Sequence, residues 1–172
     1  MARVEQTVRM TEDSTLAALA NVYFHGYRRF LRVAEAIVRD GELAKDVVQD
    51  TFARAIRGRF DYRGDGGLEA WIWRILVNTA RNAVRDSRLP QVPLYELADE
   101  LATSDGQPAG GELRPLLAAL PERQRLVLFL RYYADLDYRR IADVLEIKPG
   151  TVGATLNQAH AAVRRALKEV PR

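Results

Sequence analysis

The stretch IKPGTVGATLNQAHAAVRRAL, residues 147–167, carries amide and hydroxyl side chains at helical spacing. Asn and Gln can bond adenine through paired donor and acceptor atoms, and Thr can contact the methyl group of thymine. Small residues on the same face let a backbone come close to a DNA groove. The candidate base-reading residues are Thr151, Ala154, Thr155, Asn157 and Gln158. Together they predict a surface that reads DNA bases with little positive charge.

Basic side chains bracket this stretch and could hold the phosphate backbone. Phosphate contacts fix the register of a protein on DNA, but they carry little sequence information. The candidate phosphate-binding residues are Arg139, Arg140, Lys148, Arg164 and Arg165. His160 lies near the apolar side of the same helix, so we expect it to pack at the boundary rather than contact bases.

The elements that position these residues read as a helix-turn-helix. Ile141, Ala142 and Leu145 form the inner face of a short helix, residues 146–148 make a tight joint, and Pro149 suits the first turn of a new helix. The stripe of the second helix expected to be buried comprises Val152, Leu156, Ala159, Val163 and Leu167. The alternative is a three-helix cluster whose polar face meets only water.

The first half of the chain also has the apolar periodicity of helices. The stripe predicted for the first helix is Leu16, Leu19, Tyr23, Tyr27, Phe30, Ala34 and Ile37. The core positions predicted for ELAKDVVQDTFARAIR are Leu43, Val47, Val48, Thr51, Ala55 and Ile56. LEAWIWRILVNTARNAVRD continues the pattern, with Trp71 toward the core. No useful segment alternates with period two, so the sequence predicts an all-α fold.

Composition divides the 172 residues into two small helical domains joined by a flexible linker. Residues 14–88 form a mildly basic helical block, and residues 112–172 form a second one. Residues 89–111 between them contain three prolines, a Gly–Gly pair and four acids without a basic residue, which is typical of a tether. The net charge of +3 fits a polyanionic partner, but it also fits ordinary solvated helices.

Several classes of function are disfavoured by residue type. The sequence contains no cysteine, so disulfides and cysteine-ligated metals are excluded. We see no phosphate loop, metal spacing or nucleophile–base arrangement, and therefore expect no enzyme activity, no catalytic residue, no metal and no cofactor. The polar start of the chain and the absence of a long apolar run predict a cytoplasmic protein without a membrane span.

Three stretches together resemble the extracytoplasmic-function (ECF) sigma factors of the sigma-70 family. They are AKDVVQDTF, LEAWIWRILVNTARNAVRD and LPERQRLVLFLRYYADLDYRRIADVLEIKPGTV. The resemblance implies a subunit that binds core RNA polymerase and directs promoter recognition, melting and transcription initiation. It makes 14–88 the region 2 domain and 112–172 the region 4 domain. It also implies contacts with the clamp helices of the largest polymerase subunit and with the flap of the second largest, and it implies an anti-sigma partner.

The resemblance assigns roles to residues of the first block. The implied polymerase-binding residues are Asp46, Gln49, Asp50, Phe52 and Ile56. The implied residues for the minus-ten promoter element are Tyr62, Arg63, Asp65, Trp73, Asn78, Arg81, Asn82 and Arg85. Spacing supports the docking row, because Asp46, Gln49 and Asp50 fall on the helix face away from Val47 and Thr51. The acids Glu96, Asp99, Glu100 and Asp105 could mimic nucleic acid in the polymerase cleft, or belong to a plain tether.

The resemblance also predicts that the second block binds the minus-thirty-five element. Members of the family often carry basic residues in the middle of the recognition helix, where this chain has Gly153, Ala154 and Asn157. We therefore expect weaker and more base-dependent contact there. The alternatives are a dimeric helix-turn-helix transcriptional regulator that acts without polymerase, and a helical adaptor with no DNA role.

Overall fold

The structure, a computed structural model, describes residues 2–62, 67–86 and 113–169, without the side chains of residues 2–13, 113, 114 and 169. Every regular element in these ranges is helical, as the sequence predicts. The α-helices are α1 (Ala2–Val38), α2 (Gly41–Arg57), α3 (Leu68–Asp86), α4 (Leu113–Ala119), α5 (Glu122–Tyr132), α6 (Tyr138–Leu145) and α7 (Pro149–Glu169), and a short 3-10 helix covers Arg59–Asp61.

The joint between α1 and α2 is specified by two adjacent residues. Arg39 adopts a left-handed conformation with φ of 56°, and its N–H donates to the carbonyl of Glu35 at 2.9 Å, which ends α1. Asp40 then caps α2, because its carboxylate accepts a 2.7 Å hydrogen bond from the N–H of Leu43. The chain therefore reverses within two residues and lays α2 along α1.

Helices α1, α2 and α3 pack on one another around a cluster of aromatic rings. The centroid of the Phe30 ring lies 5.2 Å from that of Phe52 and 4.1 Å from that of Trp73. All three side chains are buried. The predicted stripe of α1 is wrong at its start, since Leu16 is 43% exposed, but Leu19 and Phe30 belong to the core. This cluster fixes the relative rotation of the three helices.

Helices α4 to α7 form the second group, in which α7 packs against α4, α5 and α6. Glu146 follows α6 with φ of 55°, and the N–H of Ile147 donates to the carbonyl of Ala142 at 2.9 Å. Helix α7 begins at Pro149, as predicted. Val152, Leu156 and Ala159 are buried, but the predicted stripe fails at Leu167, which is 44% exposed.

The two groups pack directly on each other. Helix α5 lies on α1, and α6 lies on α3, so one continuous apolar core includes residues of both groups. Helix α3 contacts α1, α2 and α6, and its buried residues include Ile72, Trp73, Leu76, Val77 and Ala80. None of the described helices is long and apolar enough to cross a membrane.

Candidate nucleic-acid and polymerase interfaces

The helix-turn-helix presents the start of α7 to solvent. The tight joint at Glu146–Lys148 is closed by the N–H of Thr151, which donates to the carbonyl of Lys148 at 2.9 Å. Beyond it, Ala154, Asn157 and Gln158 are exposed on one side of the helix. At about 1.5 Å of rise per residue, the segment from Thr151 to Gln158 is about 10 Å long, which suits three base pairs of a groove.

Thr155 is not available to read a base, so its assignment is corrected. Its side chain is buried, with 7% exposure, and its hydroxyl donates to the carbonyl of Thr151 at 2.7 Å. A Thr hydroxyl that bonds the carbonyl four residues back is satisfied within its own helix. Thr151 itself remains partly exposed. The base-reading candidates on α7 are therefore Thr151, Ala154, Asn157 and Gln158.

Basic side chains border this surface at the start of α6 and before α7. Arg139, Arg140 and Lys148 are all exposed. Asp137 caps α6 by accepting a 2.8 Å bond from the N–H of Arg140, and this hydrogen bond lowers the pKa of the Asp137 carboxyl. The cap fixes where α6 starts and its direction, and therefore the positions from which the Arg139 and Arg140 side chains extend.

Arg164 and Arg165 lie on different sides of α7. Arg165 and Gln158 line a groove of about 510 Å³ together with Pro121 at the start of α5. Arg164 lines a second groove, of about 490 Å³, with Tyr132. Both arginines are exposed. Arg164 follows Asn157 by two helical turns and Arg165 follows Gln158 by two turns, so each arginine lies on the side of one base-reading candidate.

His160 packs at the boundary, as the sequence predicts. The imidazole is partly buried, and its Nε2 lies 3.0 Å from the hydroxyl oxygen of Tyr132. The two rings are tilted, with centroids 5.9 Å apart. This pair ties α5 to α7 behind the reading surface.

Helix α3 carries an exposed polar row along its length. Asn78, Arg81, Asn82 and Arg85 are all exposed at three- and four-residue spacing. Arg74 is exposed one turn earlier on the same row, and sequence reasoning missed it although its four-residue offset from Asn78 was visible. The arrangement places amides between guanidinium groups along one face, which suits a DNA strand with separated bases.

The roles expected of the two tryptophans are exchanged. Trp73 is fully buried against Phe30, so it cannot contact DNA and its predicted role is wrong. Trp71, which the sequence placed in the core, is only partly buried and its ring lies 5.3 Å from that of Tyr62. The Tyr62–Trp71 pair therefore supplies the aromatic surface at the start of α3. Arg63 and Asp65 lie outside the described residues.

On α2, the polar row expected to dock on polymerase is accessible. Asp46 and Gln49 are exposed, and the Asp50 side chain is 41% exposed. Asp50 pairs with two arginines of its own helix, with its Oδ2 at 2.8 Å from Nε of Arg54 and its Oδ1 at 3.7 Å from a terminal nitrogen of Arg57. Such exposed pairs contribute about 0.3–0.5 kcal/mol, so a partner can replace them.

Phe52 and Ile56 occupy different environments on α2. Phe52 is buried, with its ring 4.9 Å from that of Tyr23, and therefore supports the helix from behind instead of contacting a partner. Its predicted contact role is wrong. Ile56 is 41% exposed one turn later, although it was also predicted to face the core. It gives the docking row an apolar neighbour.

Within the ranges that the structure describes, no group of His, Cys, Asp or Glu residues could hold a metal ion. The acids of residues 89–111, which were considered as nucleic-acid mimics, lie outside these ranges. The chemistry that the described side chains offer is hydrogen bonding, stacking and charge. These are the means of binding a nucleic acid or a protein.

Comparison with known proteins defines the class. The family model for Sigma-70 region 2 matches residues 23–89, and the model for Sigma-70 region 4 matches residues 111–163. The RNA polymerase sigma-H factor of Pseudomonas aeruginosa is 31% identical over 160 residues, covering 84% of this chain and 83% of the relative. The ECF RNA polymerase sigma-E factor of Escherichia coli K12 is 31% identical over 134 residues, covering 69% and 70%.

Solved structures share the fold. CnrH in complex with the cytosolic domain of CnrY aligns with a TM-score of 0.72 at 22% identity, covering 95% of this chain and 98% of that one. The sigma factor RpoE of Bartonella quintana, in complex with the anti-sigma factor NepR, aligns with a TM-score of 0.67 at 19% identity, covering 88% and 98%. The chain belongs to the sigma-70 family, within its ECF group. It is an alternative sigma subunit, which directs promoter-specific transcription.

Proposed function

We propose that this subunit divides its work between two domains, residues 14–88 and residues 112–172, with residues 89–111 as the linker. The first domain docks on core polymerase through α2 and holds the melted minus-ten element on α3. The second reads the minus-thirty-five element through α7. The main support for this proposal is that α3 and α7 expose separate faces that bear amide side chains, each bordered by arginines.

For the minus-ten element, the α3 row and the aromatic pair at its start have complementary tasks. Asn78, Asn82 and the arginines of the row can bond bases and phosphates of a single strand, whereas Trp71 and Tyr62 offer ring faces. Stacking of a base on an aromatic ring contributes about 1–3 kcal/mol, which offsets part of the cost of unstacking the duplex. Arg63 and Asp65 remain candidates for the adjacent base on sequence grounds.

For the minus-thirty-five element, we assign base reading to Thr151, Ala154, Asn157 and Gln158. Amide side chains read adenine in the major groove, and the small Ala154 allows close approach. The phosphate-binding set is Arg139, Arg140, Lys148, Arg164 and Arg165. This division predicts moderate affinity with a large dependence on base identity, because the middle of α7 carries few charges.

For polymerase docking, Asp46, Gln49, Asp50 and Ile56 form the contact surface on α2. A clamp formed by basic helices could take over the carboxylate of Asp50 from its exposed intrahelical pairs at little cost. The flap of the second-largest polymerase subunit is proposed as the partner of the second domain. We also propose that the chain works in the cytoplasm, is not an enzyme, and is held by an anti-sigma factor, as the sigma factor RpoE is bound by NepR in its structure.

Transcription in vitro tests the proposal. Core polymerase with the purified chain should start transcripts at defined positions on genomic fragments, and core alone should not. The matched control is the Asn78→Ala/Asn82→Ala double variant, which should bind core normally but melt promoters slowly. If the chain binds duplex DNA as a dimer and never associates with core, it is a regulator that acts without polymerase docking.

A further inference from the structure

A single buried arginine joins the two halves of the molecule. The guanidinium of Arg125, in α5, donates from Nε to the carbonyl of Ala36 at 2.9 Å, which belongs to the last turn of α1. One terminal nitrogen donates to the carbonyl of Ala118 at 3.2 Å and to that of Leu120 at 3.1 Å. Arg125 is only 2% exposed. One side chain thus bonds the ends of α1 and α4 from a third helix.

Helix geometry explains why a cation is accepted at this position. The last carbonyl groups of a helix lack intrahelical donors, and the C-terminal end of a helix dipole attracts positive charge. Arg125 satisfies such carbonyls from both groups of helices. It does so without a direct ion pair to a carboxylate among the described residues.

Keeping Arg125 charged in this buried site has an energetic cost. Burial, followed by repulsion from Arg39 and opposed by Glu122, lowers the pKa of Arg125 to about 10. Arg39 itself donates across the same junction to the carbonyl of Ala118, at 3.5 Å. Two cations therefore meet at this junction, and their repulsion opposes the closed arrangement.

The other polar contacts across the junction are weaker or more exposed. The Arg29 guanidinium reaches the carbonyl of Ala134 at only 3.5 Å. The guanidinium carbon of Arg32 lies 5.8 Å from the centre of the Tyr133 ring, which is 41% exposed as a residue. The Arg125–Ala36 hydrogen bond is shorter than the bonds that Arg29, Arg39 and Arg81 make across the junction. Arg125 is therefore the side chain whose release would most weaken the polar contact between the two groups.

The packed arrangement cannot serve both promoter elements at once. Packed helices lie about 8–10 Å apart, so α3 and α7, each in contact with α6, are at most about 20 Å apart where they pack. Elements centred about 25 base pairs apart are separated by about 85 Å, at about 34–36 Å per turn of duplex. A chain of the length between Asp86 and Leu113 can extend to about 90 Å, so covalent connection permits separation of the two halves.

We infer that Arg125 is the latch of a closed, autoinhibited form of this sigma subunit, and that release of the Arg125–Ala36 hydrogen bond lets the two helical groups separate onto the two promoter elements. The inactivity of the closed form rests on the proposed function. The latch itself does not, because it concerns the free chain.

Distance measurement in the free chain tests the latch. The sequence has no cysteine, so Glu42→Cys in α2 and Asp143→Cys in α6 provide two exposed spin-label positions, one in each group. Pulsed electron spin resonance should give one narrow, short distance population in the otherwise wild-type chain. Arg125→Gln should shift most of it outward by tens of ångströms, and Arg125→Lys should shift a smaller fraction, because Lys lacks the planar fork.

Arg131→Gln is the matched control. Arg131 lies in the same helix, but it bonds within its own group, to the carbonyl of Leu136 at 3.2 Å and to Asp135 at 3.6 Å. It should leave the distance unchanged. Circular dichroism at each step verifies that helix content persists. A folded Arg125→Gln chain that keeps the wild-type distance would overturn the latch.

A reversible lock tests whether the closed form is inactive. Arg32→Cys and Tyr133→Cys, at positions that are not assigned to DNA or polymerase, can be joined by a bis-maleimide whose spacer contains a disulfide. The locked chain should direct at least tenfold less transcription with core than the same chain after reduction of the spacer. Equal activity of locked and reduced chains refutes autoinhibition. If even the unmodified chain directs no transcription, the proposed function fails, and the distance measurement still decides the latch.

Discussion

The Nε of Arg81 lies 3.4 Å from Oε1 of Glu122, so a guanidinium of the α3 row is paired with the first residue of α5 in the other half of the molecule. Both side chains are substantially exposed, at 43% and 55%. A pair of this kind contributes at most about 1 kcal/mol. The pair matters because it engages Arg81, a side chain that we assign to promoter DNA.

Removing the acid should free Arg81 without harming the protein. We expect Glu122→Gln to form open complexes at least as fast as the wild type, and Arg81→Ala to form them several-fold more slowly. The measurement is the rate at which promoter thymines become reactive to permanganate in the presence of core polymerase. An equal loss in both variants would mean that Arg81 acts through Glu122 and not on DNA.

The two tryptophans of α3 should give opposite phenotypes. Trp73→Ala removes a fully buried ring, and we expect a loss of about 3–5 kcal/mol in the free energy of unfolding. Trp71→Ala should cost much less stability but slow promoter melting, and Trp71→Tyr should restore most of the rate by keeping a ring face. Denaturant titration and open-complex kinetics on the same preparations separate the effects. A Trp71→Ala chain that melts promoters normally contradicts its assignment.

Charge reversal on α2 should weaken polymerase binding. Asp50→Arg places a third cation beside Arg54 and Arg57 and removes the carboxylate offered to the clamp. We expect the dissociation constant for core to rise at least tenfold, equivalent to about 1.4 kcal/mol. Asp143→Arg, an identical charge change on exposed α6, is the control and should bind core normally. Equal affinity of the two variants for core would remove Asp50 from the docking surface.

Base readout and phosphate contact on α7 should be separable. Gln158→Ala should relax base preference at one position of the minus-thirty-five element, by about 1–3 kcal/mol of discrimination. Arg165→Ala should weaken binding to all sequences and reduce the slope of affinity against salt by about one. Binding of the polymerase complex to a promoter library at several salt concentrations measures both. Indistinguishable profiles would contradict this division of roles.

The cap of α6 should make stability depend on pH in the acid range. The hydrogen bond from the N–H of Arg140 lowers the pKa of Asp137 below 3.8, so its stabilisation is complete above that value and disappears as pH falls through the lowered pKa. The difference in Tm between the wild type and Asp137→Ala should therefore be constant near neutrality and shrink below about pH 4. Asp143→Ala is the control. A difference in Tm that is independent of pH down to pH 2 would exclude the charged cap.

Sequence periodicity predicted the helical class, the two blocks and the helix-turn-helix, because spacing of apolar residues and the Pro149 start are local signals. On α3 it placed the wrong tryptophan in the core. Trp71 and Trp73 are both apolar and two residues apart, and the choice between them depends on α1 and α6 packing on α3 together. This packing brings together residues that are distant in the chain, so local sequence patterns do not predict it.

The site residues divide in the same way. Asn157 and Gln158 were predicted to face outward from helical position, whereas Asn78 and Asn82 were assigned from the resemblance to the family. The structure exposes all four side chains. Thr155 and Phe52 are at the edges of their buried arcs, where a helix can rotate by a few tens of degrees without changing its pattern. The role of Arg125 could not be predicted, because its acceptors are backbone carbonyls and one of them is 89 residues away.

Because Trp73 is buried and Trp71 is partly exposed, the fluorescence of Trp71 can report on the binding of DNA. Since Trp71 and Trp73 are the only tryptophans, a Trp73→Phe chain that remains folded would have indole emission from Trp71 alone, at the start of α3, where we propose that a base stacks. Quenching by a stacked nucleobase would then reveal strand separation in stopped-flow time, without a dye on either molecule.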